Sequence, residues 1–366
     1  MKKKVLSISL VLLLAMSLVG CMAQKPTVSQ NSNPTSTIEA SAPVVNLKLQ
    51  SHLSGEQLER TLGPTIKLIE KETNGTVKIT PYSAGVLMPV PEMLNGLTSG
   101  GLDMALLPEG LFAGVIPVSE IASGLPYGYK NLHEAWIFMW QRGFLDILRQ
   151  EYAKQKIYVI PVETYNVGLM TKKPVKQFAD LKGMKLRSIG GMSMFETAAG
   201  SSVVSIPGSE LYTALSTGVI DGVSWGDAGP MYEMKFPEVL KNYMLPDPIQ
   251  GAWNSIYFNL DVWNKFTPGQ RKAIEAAVIN GSRATEEQTR AMYSRALDSM
   301  VDKFGVTVNT LSEEDQAKAQ EISSTVWDKI AAKNPVNAKV ITMLKEFHKE
   351  RLDAKNVSPK FGELSW

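Results

Sequence analysis

Residues 180–187 read Asp-Leu-Lys-Gly-Met-Lys-Leu-Arg, and this stretch together with residues 188–217 predicts the fold class. Gly183 makes a turn before a strand over residues 184–189, whose alternation places Lys185 and Arg187 on one face. A helix, a strand and a serine-capped helix come next, at residues 194–199, 203–206 and 209–217. Because strands that alternate with helices form parallel sheets, the region is expected to be an α/β unit.

The same alternation fills the preceding part of the chain. The predicted strands lie at residues 44–50, 77–81, 102–107, 157–161 and 167–171. The predicted helices lie at residues 56–73, 91–97 and 131–153. A hydrophobic content of 44% supplies material for the cores of two α/β units.

Beyond Trp263 the pattern changes to helices. Thr267-Pro268 opens a long helix that runs through Lys303, and Ser312 caps another one. The tail is therefore expected to be helical, without a further strand.

The N-terminus predicts export. Three lysines at positions 2–4 precede sixteen uncharged residues, 5–20, whereas a membrane-spanning helix needs about 20 apolar residues. Residues 1–20 are therefore interpreted as a signal peptide. Leu18-Val19-Gly20-Cys21 resembles the lipobox of bacterial lipoproteins, which predicts lipidation of Cys21; the alternative is a small apolar cysteine that follows a signal by chance.

Residues 22–43 are rich in Ser, Thr, Asn, Gln and Pro, so residues 21–43 are expected to be a lipidated cysteine with a flexible tether. The whole chain has 38 basic and 36 acidic residues; losing the three lysines of the signal leaves 35 − 36 = −1. A nucleic-acid partner would require a strong basic excess, and none is expected.

Motifs of catalysis are missing from the sequence. The three histidines, His52, His133 and His348, have no metal-pair spacing, and Gly190-Gly191-Met192-Ser193 lacks the closing glycine of a nucleophile elbow. No phosphate loop is present. We expect neither an enzyme, nor a bound metal, nor a cofactor, although a hydrolase whose two carboxylates leave no local signature stays a possible alternative.

Two blocks point to ligand binding. Arg187 ends a strand, where ligands of α/β domains bind, and its guanidinium suits a carboxylate; the alternative is an exposed strand-end arginine. Residues 218–225 form a glycine-bounded apolar turn that ends on Trp225, which can offer a small ligand a flat wall or belong to the core.

These blocks resemble the substrate-binding proteins of tripartite ATP-independent periplasmic (TRAP) transporters, the DctP-type family. The resemblance rests on residues 180–187, Pro207 before Ser209-Glu210-Leu211-Tyr212, Gly218-Val219-Ile220-Asp221-Gly222 and, earlier, residues 77–79, 97–105 and 125–128. It covers nearly the whole mature chain.

The resemblance implies a two-lobed, type II-like α/β periplasmic-binding-protein fold with an interlobe cleft, a long bracing helix and a helical tail. Lobe I is then expected at 44–165 plus 253–295, lobe II at 166–252, and C-terminal helices across both lobes at 296–366. In the family, an arginine at the position of Arg187 holds the ligand carboxylate.

The resemblance also suggests where the sequence departs from its relatives. Members that bind 2-oxo acids with a metal commonly have Glu-Trp where this chain has Ser224-Trp225, so a metal-bridged ligand is not expected. Tyr165 and Asn166 lie in a hinge-side stretch and are candidate ligand contacts or hinge packing. His52, Tyr127 and Gln250 are weaker candidates for ligand contacts. For each of them a structural role is expected more than a binding role.

The predicted function is that of the extracytoplasmic solute-binding subunit of a TRAP-type transporter. It would capture a small organic acid by lobe closure and deliver it to the membrane permease, while lipid on Cys21 holds it at the membrane. The alternative is a ligand-sensing lipoprotein that presents an organic acid to a chemoreceptor or sensor kinase.

Overall fold

A computed structural model describes residues 42–357 of the chain, with side chains as far as Arg351. The predicted signal peptide, the lipidation of Cys21 and the tether up to residue 41 lie outside this range. No helix within residues 42–357 is both long and apolar enough to cross a membrane.

The described residues form nine strands and thirteen α-helices. The strands are β1 (Val45–Ser51), β2 (Val77–Tyr82), β3 (Met104–Pro108), β4 (Ile157–Thr171), β5 (Lys185–Arg187), β6 (Ser202–Val204), β7 (Gly222–Trp225), β8 (Asn242–Asn259) and β9 (Thr307–Thr310). The helices are α1 (Gly55–Glu72), α2 (Met93–Ser99), α3 (Ser119–Ala122), α4 (Leu132–Gln141), α5 (Phe144–Ala153), α6 (Gly190–Ala198), α7 (Leu211–Ser216), α8 (Ala228–Glu233), α9 (Phe236–Val239), α10 (Leu260–Lys265), α11 (Pro268–Phe304), α12 (Glu313–Ala331) and α13 (Pro335–Val357).

All nine strands belong to one sheet in the order β2-β1-β3-β8-β4-β7-β5-β6, with β9 paired to β8. The outer strands pair in parallel, as expected, but β8 is antiparallel to β3 and to β4, and β4 is antiparallel to β7. The prediction of a parallel sheet was therefore wrong at its centre. The reason is that two long strands running in opposite directions pass between the two halves of the sheet.

These long strands were the main error of the secondary-structure prediction. The strands predicted at 157–161 and 167–171 are one continuous strand, β4, and β8 was not predicted. Their pairing shifts register between Pro161 and Glu163, between Tyr165 and Asn166, and between Val167 and Leu169. Such bulges bend a strand and re-aim its side chains. Sequence alternation is interrupted here, which is why the two ends looked like separate strands.

Several local predictions were right and others were wrong. Helix α11 begins after Thr267 and Ser312 caps α12, as predicted, and the side chain of Thr267 also caps its helix. The helix predicted at 131–153 is two helices, because Gly143 adopts a left-handed conformation with φ 82° between them. Ser209 does not cap α7, which begins at Leu211 after a single 3₁₀ turn, and the tail contributes β9 as well as helices.

Helix α11 joins two of the hydrophobic clusters on one face of the sheet. Near its start, Ile274 and Val278 pack in the cluster that contains Leu62 of α1. Near its end, Ala296 and Met300 pack with the cluster around α7, α8 and β7. Each fully buried aliphatic side chain contributes about 1.5–3 kcal/mol. The helix thus contacts both halves of the sheet, as the predicted bracing helix should.

Candidate ligand-binding site

Arg187 lies at the end of β5 and is only 7% exposed. Its Nε donates to the carbonyl of Ile206 at 3.2 Å, and its Nη1 donates to the carbonyl of Ser224 at 3.0 Å. Burial lowers the pKa of the guanidinium to about 10, and the charge of Glu196 partly opposes that shift. Arg187 is therefore a buried cation at neutral pH with N–H groups left over for an anion.

The ring of Trp225 stacks on this guanidinium. The Arg187 Cζ lies 4.6 Å from the ring centroid, a cation–π contact. The ring also packs closely against Gly208, where an added Cβ would lie 2.8 Å from the Trp225 Cη2 atom. Trp225 is half-buried against the cluster around α7 and α8, so one part of its ring belongs to the core and the rest is open to solvent.

Asn166 and Gln250 face each other across the bulged pairing of β4 and β8. The Asn166 Nδ2 donates to Asp247 Oδ2 at 3.0 Å, while its Oδ1 is buried without a hydrogen-bond partner. A buried acceptor without a donor costs about 1–3 kcal/mol, so this oxygen is suited to a ligand donor or a water. Gln250 is half-buried.

Tyr165 lies within reach of the charge of Arg187. Burial raises the pKa of its phenol, the charges of Glu163 and Glu109 add to that shift, and the charge of Arg187 opposes it. Its hydroxyl therefore stays protonated and can donate a hydrogen bond near the guanidinium.

Tyr127 comes from the loop before α4 and reaches α6. Its ring centroid is 5.8 Å from that of Phe195, and its N–H donates to the carbonyl of Pro248 at 2.7 Å. It adopts φ 54°, which is uncommon for a side chain of this size and often marks a functional site. Its hydroxyl is buried without a partner, and burial raises the pKa of the phenol.

His52 is placed differently. Its Nδ1 lies 3.0 Å from the carbonyl of Leu106, and its backbone N–H donates to the same carbonyl at 3.1 Å. Burial lowers the pKa of its imidazole to about 4, so the ring is neutral. Its hydrogen bonds tie His52 to β3 rather than to the other predicted site residues.

Sequence reasoning missed the buried acids around these residues. Glu196 accepts from the Ser224 hydroxyl at 2.5 Å, and Asp247 accepts from Asn166 and from the Tyr243 hydroxyl. Burial raises the pKa of Glu196 to about 8 and that of Asp247 to about 6. Glu196 could have been noticed from the sequence, because it is a carboxylate among the apolar positions of α6. Nothing in the sequence marked Asp247 as buried.

A cavity of about 320 Å³ lies beside this group of residues. It is lined by Gly110 and Leu111 from one half of the sheet and by Ser188, Gly190 and Ser205 from the other. The seven predicted site residues do not line it, although Ser188 directly follows Arg187. Within residues 42–357 no group of three or more His, Cys, Asp or Glu side chains is arranged to hold a metal, and metal-independent binding stays a prediction.

Known proteins resemble this chain over most of its length. The family model for the bacterial extracellular solute-binding protein, family 7 (DctP) matches residues 57–334. The monocarboxylate 2-oxoacid-binding periplasmic protein of Nostoc sp. is 26% identical over 340 residues, which cover 88% of this chain and 89% of that protein.

Two solved structures share the fold. A TRAP periplasmic solute binding protein from Pseudoalteromonas atlantica, with bound sodium and pyruvate, superposes with a TM-score of 0.80 at 18% identity, covering 88% of this chain and 100% of that one. A TRAP transporter solute binding protein from Bordetella bronchiseptica, with copurified calcium and picolinate, gives 0.79 at 22% identity, covering 87% and 95%. The predicted two-lobed α/β fold is thereby confirmed.

Proposed function

Because this chain belongs to the bacterial extracellular solute-binding proteins of family 7, we propose that it captures a small organic acid between its lobes and holds the acid's carboxylate on Arg187. Membership confirms the resemblance predicted from the sequence and the function that goes with it. The chain is an extracytoplasmic solute-binding protein of the TRAP type, which delivers its solute to a membrane permease.

The proposed anchor role of Arg187 rests on one observation: its buried positive charge has no ion-pair partner in the described part of the chain. Arg187 is 7% exposed, yet within the described part of the chain its protein partners are two carbonyls and an aromatic face, and no carboxylate makes an ion pair with it. A buried charge requires compensation. A planar carboxylate supplies it through two parallel charge-assisted hydrogen bonds.

The other predicted contacts would complete the proposed site. Trp225 would form one wall, Tyr127 and Tyr165 would offer hydroxyl groups, and Asn166 and Gln250 would offer amides from the bulged strands. The unpartnered oxygens of Tyr127 and Asn166 support these roles. His52 has its Nδ1 engaged by the carbonyl of Leu106 and is assigned a structural role.

Three finer points belong to the same proposal. We place the lobes at 44–165 plus 253–295 and at 166–252, with the described part of segment 296–366 packing across them, and the long strands β4 and β8 support a junction near 165 and 252. Cys21 carries the lipid that holds the protein at the membrane. The protein returns its ligand unchanged, as befits a family of receptors rather than enzymes.

Calorimetry with pyruvate, lactate, picolinate, succinate and galacturonate tests the anchor. For the tightest of these acids, Arg187→Ala should raise the Kd at least about thirtyfold, because removing one partner of a buried charge pair costs about 2–5 kcal/mol. Arg187→Lys should recover part of the loss, since an ammonium keeps the charge but not the fork.

Arg149→Ala is the matched control. Arg149 is also partly buried, stacked on a tyrosine ring and hydrogen-bonded, but it lies in α5 and pairs with Glu275. Its removal should leave the Kd unchanged. Equal affinity of wild type and Arg187→Ala for the best acid would remove Arg187 from the anchor role, and mass spectrometry of the bound acid would show whether it is recovered intact.

A further inference from the structure

Ser224 connects two buried charged side chains. Its carbonyl accepts from Arg187 Nη1 at 3.0 Å, and its hydroxyl donates to Glu196 Oε1 at 2.5 Å. Glu196 is fully buried, and its second oxygen, Oε2, has no hydrogen-bond partner. A single residue of β7 therefore couples the anchor to a carboxyl group on α6.

Glu196 is balanced between two protonation states. Burial raises the pKa of this carboxyl to about 8, while the hydrogen bond from Ser224 and the charge of Arg187 act in the opposite direction. The positive charge of Arg187 is thus one of the forces that favour the ionised form. Any anion that neutralises Arg187 removes part of that support.

We propose that Glu196 is a positioning residue of the binding site, which acts through Ser224 and Arg187 and makes capture of a carboxylate ligand favour uptake of one proton by Glu196. The proposal rests on the proposed function. The proton comes from solvent and goes to the Glu196 carboxylate, and no covalent bond of the ligand changes. Binding is tightest while Glu196 is protonated and weakens when it ionises, because the ligand must then sit near a second negative charge.

Few other charges face Glu196. On the sheet side the charged group is Arg187. The titratable phenol of Tyr165 lies near Arg187, and its raised pKa keeps it neutral. Among the elements packed on α6, Glu120 of α3 pairs with Lys333 beyond α12 at 2.6 Å, and Asp315 of α12 accepts from Ser312 at 2.8 Å. Tyr127 faces α6 with a phenol that burial also keeps neutral.

The test measures Kd from pH 6.0 to 9.0 by calorimetry with the tightest of pyruvate, picolinate, succinate and galacturonate. In wild type the Kd should be flat at low pH and rise on the order of tenfold by pH 9.0, from the Coulomb repulsion of two charges in a partly buried site. Glu196→Gln should bind with the low-pH affinity at every pH. Ser224→Ala removes a hydrogen bond that lowers the pKa of Glu196, so its loss of affinity should move to higher pH.

Two further measurements separate coupling from a structural effect. Calorimetry in buffers of different ionisation enthalpy should show net proton uptake near pH 8 in wild type and none in Glu196→Gln. Glu109→Gln is the matched control: Glu109 is a buried carboxyl with a pKa raised to about 7 by burial, bonded to Tyr152 and Ser255. Its replacement should leave the pH dependence of Kd in place.

Ligand-free protein supplies an independent readout. Because burial raises the pKa of folded Glu196 above its unfolded value, its stability contribution is lost as pH rises from about 4.5 to about 8. The Tm of Glu196→Gln should therefore gain on that of wild type across this window and run parallel above it. If no acid binds wild type, the proposed function fails; if an acid binds with a Kd that does not change with pH, or changes equally in Glu196→Gln, the coupling alone is overturned.

Discussion

Glu233→Gln would remove the charge from an ion pair that joins the two halves of the molecule. Arg60 of α1 bonds Glu233 of α8 through both guanidinium nitrogens, with Nη2 to Oε2 at 2.9 Å, and Gln57 donates to the same Oε2 at 2.8 Å. Helix α1 packs with the cluster under β1, and α8 packs with the cluster under β7. The pair therefore links the two halves of the sheet, and under the proposed lobe assignment it would stabilise the arrangement of the lobes in this structure.

The size of the effect follows from the burial of the pair. The side chains of Arg60 and Glu233 are 24% and 23% exposed, so the pair lies between a solvated one, worth about 0–1 kcal/mol, and a buried charged hydrogen bond, worth about 1.5–3 kcal/mol. If the pair forms only in the closed state of the proposed capture, an intermediate value of about 1–2 kcal/mol corresponds to a change of roughly 5–30-fold in the ratio of closed to open lobes. We expect the Kd of the best acid to rise by the same factor.

Calorimetry measures the Kd of Glu233→Gln, and a double-mutant cycle with Arg60→Met measures the coupling energy of the pair. Glu275→Gln is the control, because its pair with Arg149 is similar in length, 2.8 Å, and in exposure, 24% and 33%, but joins α5 to α11. That variant should lower Tm without changing Kd. A Kd within twofold of wild type for Glu233→Gln, or a coupling energy below about 0.3 kcal/mol, would refute the idea that the pair holds the lobes together.

Two more predictions concern single residues. Gly208→Ala should displace the Trp225 ring from the Arg187 guanidinium, because the new Cβ would lie 2.8 Å from Cη2, and the Kd of the best acid should rise about 3–10-fold. Gly114→Ala is the control, because a Cβ there would meet nothing within 4 Å and should leave the Kd unchanged. An unchanged Kd in both variants would contradict the role of the stacked ring. Burial raises the pKa of Asp227 to about 7, so the stability contribution of this carboxyl is lost as pH rises from about 4 to 7. Asp227→Asn keeps the helix cap and should be about 1–3 kcal/mol more stable than wild type at pH 8, but not at pH 4, in urea unfolding. An equal difference in stability at both pH values would count against ionisation of Asp227 as the cause.

Local patterns predicted much of the fold. The caps at Thr267 and Ser312 depend on residues three positions away, and the apolar spacing of α1 depends on a period of 3.6, so both can be read from a short window of sequence. The strand ending on Arg187 was predicted for the same reason. Gly143 broke the helix predicted at 131–153 because a single left-handed residue outweighed an otherwise continuous amphipathic pattern.

The sequence by itself determined that the chain belongs to an exported class of proteins and has an α/β fold. It also determined that an arginine ends one strand and that the chain has the motifs of a solute-binding family. Only the tertiary structure decided what surrounds that arginine. Asn166 faces Gln250 because β4 and β8 pair with shifted register, and Ser224 reaches both Arg187 and Glu196 because β5, β7 and α6 meet at one end of the sheet. Register and burial are set by segments far apart in the chain, so no local pattern encodes which buried carboxyl comes to lie beside the anchor.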